Sequence, residues 1–130
     1  MKNLLRYAHC VWLRIMACKA RKFLPDRHIL IVAPHPDDEI IGCGGLLDHL
    51  VKENKAPHVV IMTGGEGSHH GCCDTSSGDI VAARRRLTRN AAAIVGLPIE
   101  NIHELNYPDG GISMNNTETD RLKAVIDELQ

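Results

Sequence analysis

From residue 4 to residue 23, Leu4, Leu5, Ala8, Val11, Trp12, Ile15 and Met16 recur at helical spacing, interleaved with Arg6, Arg14, Lys19, Arg21 and Lys22. This pattern predicts a basic amphipathic helix, ended by Pro25 and Asp26. Arg6 and Arg14 interrupt every apolar run, so the segment is neither a transmembrane span nor an ordinary secretory signal. Such a helix suits a membrane surface, or it lies against the domain with its cationic side in water. The second placement is preferred here, because basic faces are commonly just solvated.

Beyond Asp26 the rhythm changes. Ile29 to Val32 is a short apolar, β-branched run and predicts a strand. Ile40, Cys43, Leu47, Leu50 and Val51 then follow at helical spacing up to Asn54, and His58 to Met62 reads as a second strand. Residues 64–78, rich in Gly, Ser, His and Cys, predict a long loop. Ile80, Ala83, Leu87, Ala91 and Ile94 mark a second helix, started by Ser76 or Ser77 and closed near Gly96 to Pro98. Asn101 to Asn106 is a third strand, and Thr117 caps a helix bearing Leu122, Val125, Ile126 and Leu129. Gly42, Gly44 and Gly45 each weaken their helix by ~1 kcal/mol relative to alanine, which suggests close packing or backbone approach to a ligand.

The order is a helix followed by βαβαβα, which predicts an α/β fold, a Rossmann-like three-layer arrangement with a parallel sheet. Right-handed crossovers make the three strands parallel and place all three post-strand loops on one edge. The last helix runs to Gln130 without a glycine or proline stop, and three strands leave an unpaired edge. The expectation is therefore a fold truncated at its carboxyl side, with residues 1–26 a helical extension and 27–130 an incomplete domain.

Composition adds exclusions. With 44% hydrophobic and 24% charged residues, the 130-residue chain is an ordinary globular domain or part of one. A net charge of −1 and only one Trp, two Tyr and one Phe give no footing for nucleic acid. Five cysteines, two of them adjacent, argue for a reducing compartment, and hence a cytoplasmic location, over a disulfide framework.

The candidate chemistry lies where the first strand ends, the place where open α/β sheets bind ligands. His35, Asp37, Asp38 and Glu39 bring an imidazole and three carboxylates into one loop, with Pro36 restricting the backbone among them. Two readings stand side by side: a metal site, or a helix start whose acidic residues cap free N–H groups.

The run Ala33-Pro34-His35-Pro36-Asp37-Asp38-Glu39, continued by Gly42-Cys43-Gly44-Gly45, resembles the signature of the PIG-L/LmbE family of zinc-dependent N-deacetylases. Thr63-Gly64-Gly65-Glu66-Gly67 and Tyr107-Pro108-Asp109-Gly110-Gly111 follow in the order that family shows, so the resemblance covers about residues 28 to 112. It implies zinc as cofactor, with His35 and Asp38 as ligands and Asp37 as the base that takes a proton from water. It implies a small amino-sugar substrate carrying an N-acetylglucosamine group, a glycoside or glycolipid, hydrolysed to release acetate. The family's third ligand, a histidine in a later loop, has no match in residues 1–130, so as it stands the chain is expected to bind zinc weakly and to be inactive.

By the same resemblance Arg84 faces the substrate, although the glutamate common three residues later is Leu87 here, on the apolar stripe. Asp109 and Glu66 are sugar contacts or simply turn and loop residues. Glu39 reads as a structural carboxylate, Cys43 as a small packed residue and His103 as a satisfied strand histidine. His69, His70, Cys72 and Cys73 form a cluster of soft donors that is read as a substrate-facing loop, with direct ligation of the metal as the other reading. The alternatives to a deacetylase are a catalytically inactive fragment and a nucleotide-binding module. The second places Gly42, Gly44 and Gly45 too late, after the charged cluster, for a dinucleotide fingerprint.

Overall fold

A computed structural model describes residues 2–18, 28–69, 74–113 and 116–129. Its elements run α1 (Lys2–Cys18), β1 (Leu30–Ala33), α2 (Asp38–Lys52), β2 (His58–Thr63), α3 (Ser77–Val95), β3 (Ile102–Tyr107) and α4 (Asn116–Glu128), with single 3-10 turns at Glu66–His69 and Ile99–Asn101. The fold is α/β, with an amphipathic helix ahead of it. The strands lie in the order β1-β2-β3 and all pair in parallel, Ile31 opposite Val59 and Val59 opposite Ile102.

Strand alternation sends side chains to opposite faces and so builds two cores. On one face Ile31, Val59 and Ile61 meet Leu47 of α2 and Ala92 of α3, with Ile40, Cys43 and Val51 packed around them. On the other, Val60, Leu105 and Tyr107 meet Leu122 and Val125 of α4. The result is three layers. Leu47 and Leu50 are fully buried, and burial of a leucine contributes about 1.5–3 kcal/mol. Tyr107 is held twice: its hydroxyl donates to the Glu118 carbonyl, and Arg121 lies over its ring at 5.3 Å.

Three sequence expectations are corrected. The buried stripe of α3 is Ile80, Thr88 and Ala92, whereas Leu87 and Ile94 of the expected stripe are 62% and 85% exposed. Thr88, 4% exposed, sits on the inward arc because the docking of α3 on the sheet outweighs side-chain type. Gly42 and Gly45 meet no atom that an added Cβ would touch, so those positions show no close packing. The side chains of α1 described here, Leu4 to Cys18, are all exposed, so the expected packing of this helix against the domain is not found.

Helix ends follow known rules. Ser76 caps α3 by accepting the Asp79 N–H, and Gly96 closes it in a left-handed conformation. Of the expected rim cluster, His70, Cys72 and Cys73 lie outside the described residues, and so does the segment 19–27.

Candidate active site

Parallel strands put the ends of β1, β2 and β3 on one edge, and hydrogen bonds tie the three loops there together. Thr63, buried at the end of β2, donates both its N–H and its Oγ1 to the Pro34 carbonyl, each at 3.0 Å. The Gly65 N–H returns to Thr63 Oγ1 at 3.2 Å. Loop one is thereby fixed to loop two.

Asp109 links all three loops. Its Oδ1 lies 3.1 Å from His35 Nε2, and its Oδ2 accepts the Gly67 N–H at 2.9 Å. Its own N–H donates to Glu66 Oε1 at 2.9 Å. Burial works against its charged form, but the Gly67 N–H, the His35 ring and the Gly110 N–H outweigh it and hold the Asp109 carboxyl below the usual carboxylate range. Glu66 and Asp109 thus sit on the rim implied for them and also build it.

Within loop one, His35 and Asp38 converge. Asp38 Oδ2 accepts the His35 N–H and also lies 3.2 Å from the ring Nδ1. Glu39, almost wholly buried, accepts the Asp37 N–H at 2.9 Å, in keeping with a structural carboxylate at the helix start. Asp37 makes no capping hydrogen bond with its side chain. It is held instead at φ 122, a conformation costly for a residue with a Cβ, of order 1–3 kcal/mol. Its carboxylate is 55% exposed and faces Arg84 Nη1 at 3.8 Å.

Arg84 projects from α3 onto the same edge, where it donates to Ser68 Oγ at 2.9 Å. Gly65, at φ 70, makes room for it: a Cβ there would stand 2.6 Å from Arg84 Nη1. A cleft of about 420 Å³ opens among His35, Gly67, Ser68, Arg84 and Asp109. A larger groove of about 660 Å³ runs between α2 and α3 beside it, where exposed Ile41, Leu87 and Ile94 make an apolar wall. His35 and Asp109 line the smaller cleft, Asp37 lines the larger groove, and Arg84 lines both.

Structure therefore brings His35, Asp37, Asp38, Glu66, Arg84 and Asp109 to one edge. Sequence reasoning missed the joining roles of Thr63 and Ser68. Thr63 had a signal, a hydroxyl residue directly before two glycines, whereas Ser68 had none. Among the described residues no group of three or more His, Cys, Asp and Glu is placed to hold a metal.

Residues 30–130 match the family described as PIG-L, GlcNAc-PI de-N-acetylase. The chain belongs to the PIG-L family. The N,N'-diacetylchitobiose deacetylase of Pyrococcus horikoshii has the same fold at 27% identity and a TM-score of 0.68, over 77% of this chain and 36% of that one. A conserved protein of Thermus thermophilus is 30% identical at a TM-score of 0.62, over 79% of this chain and 42% of its own. The 4-carboxy-2-hydroxymuconate hydratase of Pseudomonas putida, 21% identical at a TM-score of 0.68, covers 79% of this chain and 43% of its own and shares the fold alone. This PIG-L chain thus spans less than half the length of each of these structures. No curated protein matches it significantly.

Proposed function

We propose that the whole protein built on this PIG-L domain hydrolyses an N-acetyl group from an N-acetylglucosamine-containing small molecule, glycoside or glycolipid. Family membership and a diacetylchitobiose deacetylase among the structural neighbours support the reaction class. The observation that carries the reading is the pairing of His35 Nδ1 with Asp38 Oδ2 at 3.2 Å, with the exposed Asp37 carboxylate outside that pair.

The pair fits zinc. An imidazole nitrogen and a carboxylate oxygen 3.2 Å apart are the kinds of donor that a zinc ion would take. His35 Nε2 faces Asp109 Oδ1 at 3.1 Å and Nδ1 faces Asp38 Oδ2 at 3.2 Å; in the tautomer with its proton on Nε2, Nδ1 and Asp38 Oδ2 are two acceptors that a cation would join. His35 and Asp38 are the residues that would hold the ion. The chemistry zinc supplies when bound is Lewis acidity and a water pKa lowered to ~7.

The chain's own groups do the rest. Asp37 takes the proton of the attacking water, since its carboxylate is exposed and engaged by no backbone cap. Arg84, anchored by Ser68, fixes where that carboxylate points and lines the cleft in which an amino sugar would lie. Asp109 acts as a positioning residue for the His35 ring, and Glu66 positions Asp109 in turn. Acetate leaves with the hydroxyl oxygen, and the amine departs protonated.

The test is acetate release from N-acetylglucosamine and its glycosides by the whole protein with added Zn2+. Asp37→Asn is expected to keep the metal and lose about 10²–10⁴ in turnover. Equal release by the variant, or none by the unaltered protein on any N-acetyl sugar, contradicts the reading.

A further inference from the structure

The helix α1 has no place in the site, and its surface is unlike that of the rest of the chain. At 100° per residue, Leu4, Ala8, Val11 and Ile15 fall on one arc and Leu5, Trp12 and Met16 beside it, with the His9 ring stacked on Trp12 at 5.9 Å, while Arg6 and Arg14 fall on the far side with Leu13 and Tyr7. Leu4 is 72% exposed, Leu5 69%, Ile15 57% and Trp12 54%. An apolar stripe of this size left in water is a binding surface.

Charge says what covers it. Six of the fifteen Lys and Arg residues lie in residues 1–25, and all sixteen Asp and Glu lie in 26–130. The first twenty-five residues thus carry +6 and the remainder −7. Three of the six, Lys2, Arg6 and Arg14, lie in α1 itself, which carries no acidic residue. An anionic bilayer accepts both halves of the pattern, the stripe in the acyl boundary and the basic arc among the headgroups. The helix is 17 residues, roughly 25 Å, and no helix among the described residues is long and apolar enough to cross a membrane. That length suits a helix lying along such a surface.

We propose that α1 docks flat on an anionic lipid bilayer, with Leu4, Leu5, Trp12, Ile15 and Met16 inserted and Arg6 and Arg14 at the headgroups. This holds independently of the chemistry assigned to the loop edge, and its test has no catalytic readout.

Trp12 is the sole tryptophan of the chain, so its emission reports on α1 alone. The experiment adds vesicles of phosphatidylcholine, with or without phosphatidylglycerol, to the full chain and follows Trp12 emission and co-flotation. Expected are a blue shift and flotation with the anionic vesicles, with partition on the order of tenfold stronger than to phosphatidylcholine alone. Leu5→Glu with Ile15→Glu is expected to abolish binding, and Arg6→Glu with Arg14→Glu to remove the anionic preference; all four positions are exposed, so folding is unaffected. No shift with anionic vesicles, or equal binding to both kinds, overturns the proposal. A blue-shifted emission in buffer that the Leu5 and Ile15 changes remove also overturns it, since α1 would then be covered by protein.

Discussion

Asp109 Oδ1 and His35 Nε2 are 3.1 Å apart across 74 residues of sequence, so the loop after β3 sets the orientation of a ring in the loop after β1. Asp109→Ala removes that acceptor and the partner of the Gly67 N–H together. Losing the carboxylate that orients a metal-binding histidine costs typically 10–100-fold in metal affinity. Zinc affinity of the variant, measured by competition with a chromogenic chelator, is expected to fall by about that factor. Unchanged affinity would show that the His35 ring is set by other contacts.

Gly65 supplies a second, steric test. Alanine there meets a φ of 70 and a guanidinium 2.6 Å from its Cβ, so Arg84 must leave its place. Gly65→Ala is expected to cost about 1–2 kcal/mol in stability. Because Arg84 moves away from the cleft, KM for the amino sugar rises as well. A variant with the melting temperature and KM of the unaltered protein would place Arg84 outside substrate binding.

A pH effect is expected at the opposite edge, where His58 Nδ1 and His103 Nε2 approach to 3.1 Å. Burial, followed by the nearby His103 and His28, lowers the His58 pKa below its ordinary 6.5. The unfolded chain therefore takes up a proton at a pH where the folded chain does not, and stability falls as pH drops through 6.5 and below. Melting curves from about pH 8 to about pH 5 should show this loss, and His58→Thr should flatten it. An unaltered slope in the variant would remove His58 as its source.

The fold was largely legible because its elements carry strong periods: β-branched runs between helical patterns, with Ser76 and Gly96 marking the ends of α3. The inward faces were harder. Thr88 is buried and Leu87 exposed because docking onto the sheet decides the rotation of α3, and sequence periodicity alone does not measure that rotation. At the site, the local pattern did place His35, Asp37 and Asp38 on one rim. It gave no hint that Asp109 and Glu66 bond across loops, because contacts between residues 43 and 74 positions apart leave no mark in local spacing. The glycines invited a similar error: Gly65 is a true close approach, whereas Gly42 and Gly45 face open space.

The central claim is that His35 and Asp38 hold zinc while Asp37 does not. It is tested most directly by titrating Zn2+ into the 130-residue chain and its His35→Ala, Asp38→Ala and Asp37→Asn variants, with binding followed calorimetrically. Catalytic zinc sites use three protein ligands, and the described residues supply two, so one weak site per chain is expected. That site should be lost in His35→Ala and in Asp38→Ala and kept in Asp37→Asn. Zinc bound by the His35→Ala and Asp38→Ala chains as tightly as by the unaltered one would contradict the account.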